Sequence, residues 1–77
     1  MPVLELYGSP TCPYTQEMRE SLEWRNREFR EYDVETDKEA NTRLRALSGS
    51  RSVPVLVEDG KVIQIGWQGR SCIVGPA

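Results

Sequence analysis

The sequence predicts an α/β fold with the element order β-α-β-α-β-β and a mixed four-stranded sheet. In the first half, apolar runs alternate with two helical patterns, which predicts parallel strands joined by right-handed crossovers. In the second half, two strand-like runs flank the turn pair Asp59-Gly60, which predicts an antiparallel hairpin. The chain of 77 residues contains no linker or repeat, so we expect residues 1–77 to form a single domain.

The first strand and the first helix follow from the residue pattern near the N-terminus. The apolar run Val3–Tyr7 predicts a buried strand, which Gly8 and the residues after it end. Pro13 suits the first turn of a helix, which we expect to continue roughly to Arg25. The predicted buried face of this helix carries Tyr14, Met18 and Leu22.

The second strand and the second helix carry more charge than the first pair. Residues 29–34 mix aromatic and aliphatic side chains with charges, which predicts a less buried strand. Thr36 and Glu39 have the spacing of a capping box with Thr36 as the N-cap, and Gly49 is a natural stop. The predicted core stripe of this helix consists of Ala40, Leu44 and Leu47.

The last two strands and the tail complete the predicted order. The apolar run Val53–Val57 predicts a buried strand, and Lys61–Ile65 is its expected return strand. Residues 66–77 contain three glycines and a proline, so we expect a C-terminal helix to be missing or very short.

The composition excludes several kinds of chemistry. The chain has no His and two Cys, so it can form neither a Cys-His or Ser-His catalytic pair nor a four-cysteine metal site. A net charge of −2 and the lack of a long apolar run argue against nucleic-acid binding and membrane insertion. Two cysteines are too few for a disulfide-rich secreted scaffold, and no secretion signal is recognisable. We therefore expect a cytoplasmic monomer without a metal.

Cys12 is the strongest candidate for a reactive side chain. It is predicted to stand between the end of the first strand and the start of the first helix, directly before Pro13. The unpaired N–H groups and the positive end of the helix dipole at such a position favour a thiolate over a thiol. The alternative is that Cys12 is a small buried residue without reactivity.

Two motifs resemble those of the glutaredoxin family, and the resemblance covers residues 3–65. Cys12-Pro13-Tyr14-Thr15 is similar to the active-site motif C-P-Y-C, and Ser52-Val53-Pro54 is similar to the T-V-P element. The resemblance implies a thioredoxin-like fold, Cys12 as the nucleophile and glutathione as a cosubstrate. It also implies that Pro54 is cis and faces the cysteine, and that the Val53 backbone pairs with the cysteinyl part of glutathione.

The same resemblance implies roles for the neighbouring residues. Pro13 and Tyr14 are expected to line the site, and Arg51 matches a position where a basic residue holds a carboxylate of glutathione. The alternative for Arg51 is a solvated loop arginine. Thr15 replaces the usual second cysteine, and its hydroxyl can donate a hydrogen bond to a Cys12 thiolate. The alternative for Thr15 is an ordinary residue of the first helical turn.

Other positions depart from the pattern of the family. Ser9 stands where many glutaredoxins have a basic residue, and the Gly-Gly-x-Asp-Asp element is absent. In the region of that element, Gly66-Trp67-Gln68-Gly69-Arg70 is closer to the W-S-G-F-R segment of NrdH-type redoxins, which thioredoxin reductase reduces. We expect Trp67 to cover core left open by the lost C-terminal helix rather than to stack on a ligand.

Cys72 is the second thiol and lies beyond the last predicted strand. Its tail contains several glycines, and Thr15 has taken the place of the second cysteine in the motif. One hypothesis is therefore that Cys72 resolves a mixed disulfide on Cys12 through a flexible tail and forms a Cys12–Cys72 bridge. The alternative is an inert or partly buried thiol.

Three functional hypotheses follow from the residues and the resemblance. The first is a glutathione-dependent thiol–disulfide oxidoreductase that reduces mixed disulfides or protein disulfides through Cys12 by a monothiol mechanism. The second is a dedicated electron-transfer redoxin that uses Cys12 and Cys72, serves disulfide-bearing proteins and is linked to a thioredoxin reductase. The third is a non-catalytic iron–sulfur carrier, which the proline and tyrosine of the motif disfavour.

Overall fold

The central sheet has four strands and mixed direction, as predicted. A computed structural model describes residues 3–75, and the two terminal residues at each end of the predicted domain lie outside it. The strands are β1 (Leu4–Gly8), β2 (Arg30–Asp33), β4 (Val55–Glu58) and β5 (Lys61–Ile65), in the order β2-β1-β4-β5. β1 runs parallel to β2 and antiparallel to β4, and β4 runs antiparallel to β5.

The two helices cover opposite faces of this sheet. They are α1 (Pro13–Trp24) and α2 (Lys38–Ser48). Side chains alternate between the two faces along a strand, and β1 accordingly sends Leu6 towards α1 and Tyr7 towards α2. Two core clusters result, one on each face. The α1 cluster consists of Leu4, Leu6, Met18, Leu22 and Leu56, and the α2 cluster contains Tyr7, Cys12, Val34, Ala40, Leu44, Val53, Val55, Val57 and Val74.

The buried faces of both helices differ from the predicted stripes. On α1, Thr15 is fully buried, whereas Tyr14 is only partly buried. On α2, Asn41 is buried, whereas Leu47 in the last helical turn remains 37% exposed. The prediction is confirmed for Met18, Leu22, Ala40 and Leu44. It missed Thr15 and Asn41 because a stripe chosen by apolarity overlooks polar residues that form hydrogen bonds inside the protein.

The N-cap of α2 is Asp37 and not the predicted Thr36. The Asp37 carboxylate accepts a hydrogen bond from the backbone N–H of Ala40 at 3.1 Å. The backbone N–H of Thr36 is instead directed to Asp33 O in the turn after β2, so Thr36 lies before the helix. A carboxylate also interacts favourably with the positive end of the helix, which favours Asp37 at this position. The predicted stop at Gly49 is confirmed, with a φ of 75°.

The predicted strand Val53–Val57 is divided at Pro54. Ser52–Val53 forms a separate short strand, β3, and the peptide bond between Val53 and Pro54 is cis. Pro54 has no N–H to donate to a ladder, so β4 begins only after it. The hairpin turn at Asp59-Gly60 is confirmed, since both residues have the positive φ values that a type I′ turn requires.

The tail forms a strand that the sequence did not predict. Cys72–Ile73, which we label β6, pairs antiparallel with β3 in a second sheet of two strands. A tight turn with reciprocal backbone hydrogen bonds between Trp67 and Arg70 directs the chain back towards β3. Residues 66–75 contain no helix, and the tail is held by hydrogen bonds rather than being the expected flexible segment.

Trp67 takes the position expected of it. Its partly buried side chain packs against the α1 cluster, which includes Leu4, Met18 and Leu56. It therefore covers core on the α1 face of the sheet, where α1 is the only helix among the described residues. Neither α1 nor α2 is long and apolar enough to span a membrane.

Candidate active site

Cys12 lies at the start of α1, where the chain leaves β1. It is the N-cap residue of the helix, and its side chain makes no capping hydrogen bond. Its backbone N–H donates to Ser9 O at 3.2 Å, and its carbonyl accepts from the N–H of Gln16 at 3.3 Å. Only 2% of Cys12 is exposed. The buried sulfur atom therefore lies at the helix start, where the first N–H groups have no partner within the helix.

The loop before Cys12 is stabilised by hydroxyl groups. The backbone N–H of Ser9 donates to Thr15 Oγ1 at 3.3 Å, and the Ser9 and Thr11 hydroxyls are hydrogen bonded to each other at 2.9 Å. Gly8 lies directly against the Thr15 side chain, and a Cβ at residue 8 would collide with it. The recorded hydrogen bond of Thr15 is thus with the loop, and the proposed bond to a Cys12 thiolate stays a prediction.

Cys12 and Cys72 are joined by a disulfide bond. Their Cα atoms are 6.1 Å apart, which is an ordinary separation for a disulfide. The two residues are separated by 60 positions in the sequence, so the folded tail brings them together. The role of Cys72 in a reaction cycle stays a prediction.

β3 lies beside this disulfide. Cys12 Sγ is 4.0 Å from the carbonyl oxygen of Val53, which is a contact rather than a hydrogen bond because a disulfide sulfur carries no proton. In the β3–β6 ladder, Val53 is the partner of Cys72. The edge of β3 next to Cys12 is therefore occupied by the chain's own tail. Pro54 is also fully buried in this region.

Two residues that sequence reasoning missed hold the tail beyond Cys72. Val74 is only 4% exposed, and its backbone N–H donates to Arg51 O at 3.0 Å. The side-chain amide of Asn41 donates to Val34 O at 3.0 Å and to Gly75 O at 3.3 Å. Asn41 Oδ1 is buried without a hydrogen-bond partner among the described residues. The sequence contained no local signal for either residue, since the contacts that hold the tail, from Val74 to Arg51 and from Asn41 to Gly75, are long-range.

The other predicted site residues lie around the sulfur atoms with different exposure. Tyr14 is partly buried and packs against the α2 cluster, to which Cys12 belongs. Pro13 is exposed at the first position of α1, and the side chain of Arg51 is exposed beside β3. Within residues 3–75, Arg51 forms no ion pair, and no three Cys, Asp or Glu side chains lie close enough to hold a metal ion.

Tyr7 contributes a neutral phenol to the α2 cluster. Burial raises the pKa of Tyr7, and the negative charge of the nearby Glu5 carboxylate raises it further, so the hydroxyl stays protonated near neutral pH. The ring stacks on Tyr32 with 5.2 Å between centroids, and the guanidinium of Arg43 lies over Tyr32. These contacts position α2 against β1 and β2.

The fold and this cysteine position define a class of protein, and comparison with known proteins identifies the family. The family model described as glutaredoxin matches residues 4–63. The chain is 33% identical over 61 residues to an uncharacterized glutaredoxin-like 8.6 kDa protein in the rubredoxin operon of Clostridium pasteurianum, a match covering 79% of this chain and 81% of that protein.

Solved structures agree with this assignment. The thioredoxin-like protein BC3987 is 37% identical, with a TM-score of 0.72 and coverage of 78% of this chain and 82% of that one. A glutaredoxin from Archaeoglobus fulgidus is 27% identical, with a TM-score of 0.72 and coverage of 84% and 75%. The protein therefore has a thioredoxin-like fold. It belongs to the glutaredoxin family.

Proposed function

We propose that the protein is a thiol–disulfide oxidoreductase that uses two cysteines, Cys12 as the nucleophile and Cys72 as the resolving thiol. The observation that carries this proposal is the disulfide between Cys12 and a tail residue held on β3. Membership of the glutaredoxin family supports the reaction class. Thr15 supports the choice of Cys72 as the second thiol, because the active-site motif itself contains no other cysteine.

The proposed cycle transfers two electrons. The Cys12 thiolate attacks a substrate disulfide, forms a mixed disulfide and releases one substrate thiolate. The Cys72 thiolate then attacks Cys12 Sγ and releases the second substrate thiolate, which leaves the Cys12–Cys72 disulfide. An external dithiol, or two molecules of a monothiol such as glutathione, reduces this bond and restores both thiols.

Several residues are proposed to support the nucleophile. The start of α1 stabilises the thiolate of Cys12, and it makes Cys12 a good leaving group when an external thiol attacks Cys72 Sγ of the oxidised protein. Val53 and Pro54 provide the backbone surface next to the sulfur on which a substrate is positioned. Tyr14 and Pro13 border the site on the helix side.

Cysteine variants test the two-cysteine mechanism. We expect Cys12→Ser to abolish the reduction of a protein disulfide substrate, because no other thiol lies at a helix start. Cys72→Ser should slow turnover by at least about tenfold and accumulate a stable mixed disulfide on Cys12, since release then depends on an external thiol. Turnover assays and intact mass spectrometry measure both effects. Full activity of Cys12→Ser would refute the proposed function.

The second candidate is the monothiol reaction with glutathione that the sequence analysis placed first. The exposed side chain of Arg51 beside β3 supports it, because an exposed guanidinium is able to bind a carboxylate of glutathione. The Cys72→Ser variant separates the two candidates. If it reduces a glutathione mixed disulfide as fast as the unaltered protein, and Arg51→Gln raises the KM for glutathione, the monothiol mechanism is correct. The rates at which thioredoxin reductase and glutathione reduce the oxidised protein are then compared, and the faster reaction identifies the reductant.

A further inference from the structure

The two sulfur atoms of the disulfide belong to residues with different exposure and different local structure. Cys12 is 2% exposed, belongs to the α2 cluster and is the N-cap residue of α1. Cys72 is partly exposed and lies in β6, which is paired with β3 on one edge and has no strand on its other edge among residues 3–75. An external thiol that reduces this bond therefore meets two sulfur atoms that are not equivalent.

Access favours attack on Cys72. A thiolate that opens a disulfide approaches the attacked sulfur from the side opposite the sulfur that leaves. Attack on Cys12 Sγ has to come from the side that faces away from Cys72, and the near-complete burial of Cys12 closes this approach. Attack on Cys72 Sγ comes from the side that faces away from Cys12, and Cys72 is the more exposed of the two residues. Because exchange depends on access, the tail cysteine is expected to react faster.

The leaving group favours the same choice. When Cys72 Sγ is attacked, the sulfur that leaves is that of Cys12, at the start of a helix of 12 residues, a position that stabilises a thiolate. When Cys12 Sγ is attacked, the sulfur that leaves is that of Cys72, which lies in a strand of two residues and not at a helix start. The better stabilised thiolate leaves faster. Access and leaving group thus both direct an external thiol to the tail.

We propose that electrons enter the oxidised protein at Cys72, whereas the substrate disulfide is reduced at Cys12. This assignment rests on the proposed function, since it gives each half of that cycle its own sulfur atom. A thiolate of the reductant attacks Cys72 Sγ, a reductant–Cys72 disulfide forms, and the electron pair of the broken bond leaves on Cys12. A second thiolate of the reductant then attacks the reductant's sulfur in this mixed disulfide, which releases the Cys72 thiolate and the oxidised reductant.

The test identifies the cysteine that carries the first mixed disulfide. Oxidised full-length protein is mixed with mercaptoethanol, a small uncharged thiol, and the reaction is stopped at successive times with excess N-ethylmaleimide. Trypsin cleaves after Arg70, among other sites, and so separates the two cysteines. Mass spectrometry without reduction then shows which peptide carries mercaptoethanol and which carries the maleimide. Cys12→Ser and Cys72→Ser, each converted to its mixed disulfide with mercaptoethanol, supply the reference peptides.

The expected pattern is mercaptoethanol on Cys72 and maleimide on Cys12. At the earliest times we expect this pattern to exceed the reverse one by at least about tenfold. A ratio near one, or an excess of mercaptoethanol on Cys12, would overturn the proposal. A disulfide that mercaptoethanol does not open in the folded protein would also overturn it, because Cys72 would then be inaccessible.

Unfolding provides the control for the intrinsic reactivity of the two cysteines. In concentrated urea both sulfur atoms are exposed and the helix start is lost, so we expect the ratio of the two patterns to fall to within about threefold of one. The same high ratio in urea would show that the residues next to each cysteine select the sulfur, and would refute the role assigned to the folded structure.

The outcome is separable from that of the proposed function. The inactivity of Cys12→Ser towards a protein disulfide tests the function and does not depend on where the reductant attacks. If Cys12→Ser is inactive and mercaptoethanol is found first on Cys12, the oxidoreductase function stands and the entry at Cys72 is wrong. If the oxidised protein contains no Cys12–Cys72 disulfide, the two-cysteine function fails together with the entry at Cys72.

Discussion

Thr15 illustrates how one residue changes the chemistry of the site and supports its structure at the same time. It stands where the C-P-Y-C motif has its second cysteine, so no disulfide can form within the motif. Its side chain is fully buried between α1 and the end of β1, and its hydroxyl accepts the N–H of Ser9. The residue therefore stabilises the loop that precedes Cys12, whatever its effect on the thiolate.

Replacement of Thr15 by the isosteric Val tests this structural contact. Thr15→Val leaves the buried N–H of Ser9 without an acceptor, so we expect the free energy of unfolding to fall by about 1–3 kcal/mol. Chemical denaturation measures the loss, and hydrogen exchange measures the protection of the Ser9 amide. Thr15→Ser is the control, since it keeps the hydroxyl and should keep that protection. Similar exchange of the Ser9 amide in both variants would contradict the assignment.

At the scale of elements, the start of α2 shows why a correct helix can have a wrongly assigned cap. Two adjacent residues, Thr36 and Asp37, both have side chains that can cap a helix, and only the backbone path after β2 decides between them. That path is set by hydrogen bonds from Thr36 and Asp37 back to Asp33 O. The helix therefore begins one residue later than the capping box predicted.

Alanine substitutions at the two candidate caps give different expected results. Asp37→Ala should lower the free energy of unfolding by about 1 kcal/mol, because the N–H of Ala40 loses its acceptor and the helix loses a favourable charge. Thr36→Ala should change it by less than about half of that, since Thr36 caps nothing. Urea denaturation at constant pH measures both. The opposite ranking would restore Thr36 as the N-cap.

The molecule as a whole depends on the tail to complete a thin core. Val74 closes the α2 cluster from a segment 60 residues or more beyond the loop of Cys12, and the disulfide ties that segment to the start of α1. Domains of this size bury a limited apolar area and are often stabilised by a covalent link. In the oxidised protein, the tail thus stabilises the fold as well as covering the site.

Reduction of the disulfide should accordingly lower the stability of the whole chain. A link between residues separated by 60 positions restricts the unfolded state. We expect its reduction to lower the free energy of unfolding by about 2–4 kcal/mol. Urea denaturation with and without dithiothreitol measures the difference, and Cys72→Ser is the control that should not respond to the reductant. An equal response of both proteins would show that the disulfide does not cause the change.

The sequence alone determined the elements whose signals are local. The apolar run of β1, the start of α1 at Pro13, the stop at Gly49 and the turn at Asp59-Gly60 each depend on neighbouring residues, and each lies where the pattern predicted. The motif at Cys12 and the element at Pro54 were sufficient to identify the family, because they combine a residue type with a position in the element order.

Only the tertiary structure decided the arrangement of the tail. Neither the pairing of β6 with β3 nor the burial of Val74 has a local signal, since a strand of two residues is stable only in contact with a partner distant in sequence. The burial of Asn41 also depends on the folded chain, because its side-chain amide donates to Val34 O, directly after β2, and to Gly75 O in the tail. The sequence supplies two Cys and no His, and long-range packing joins the second cysteine to the first.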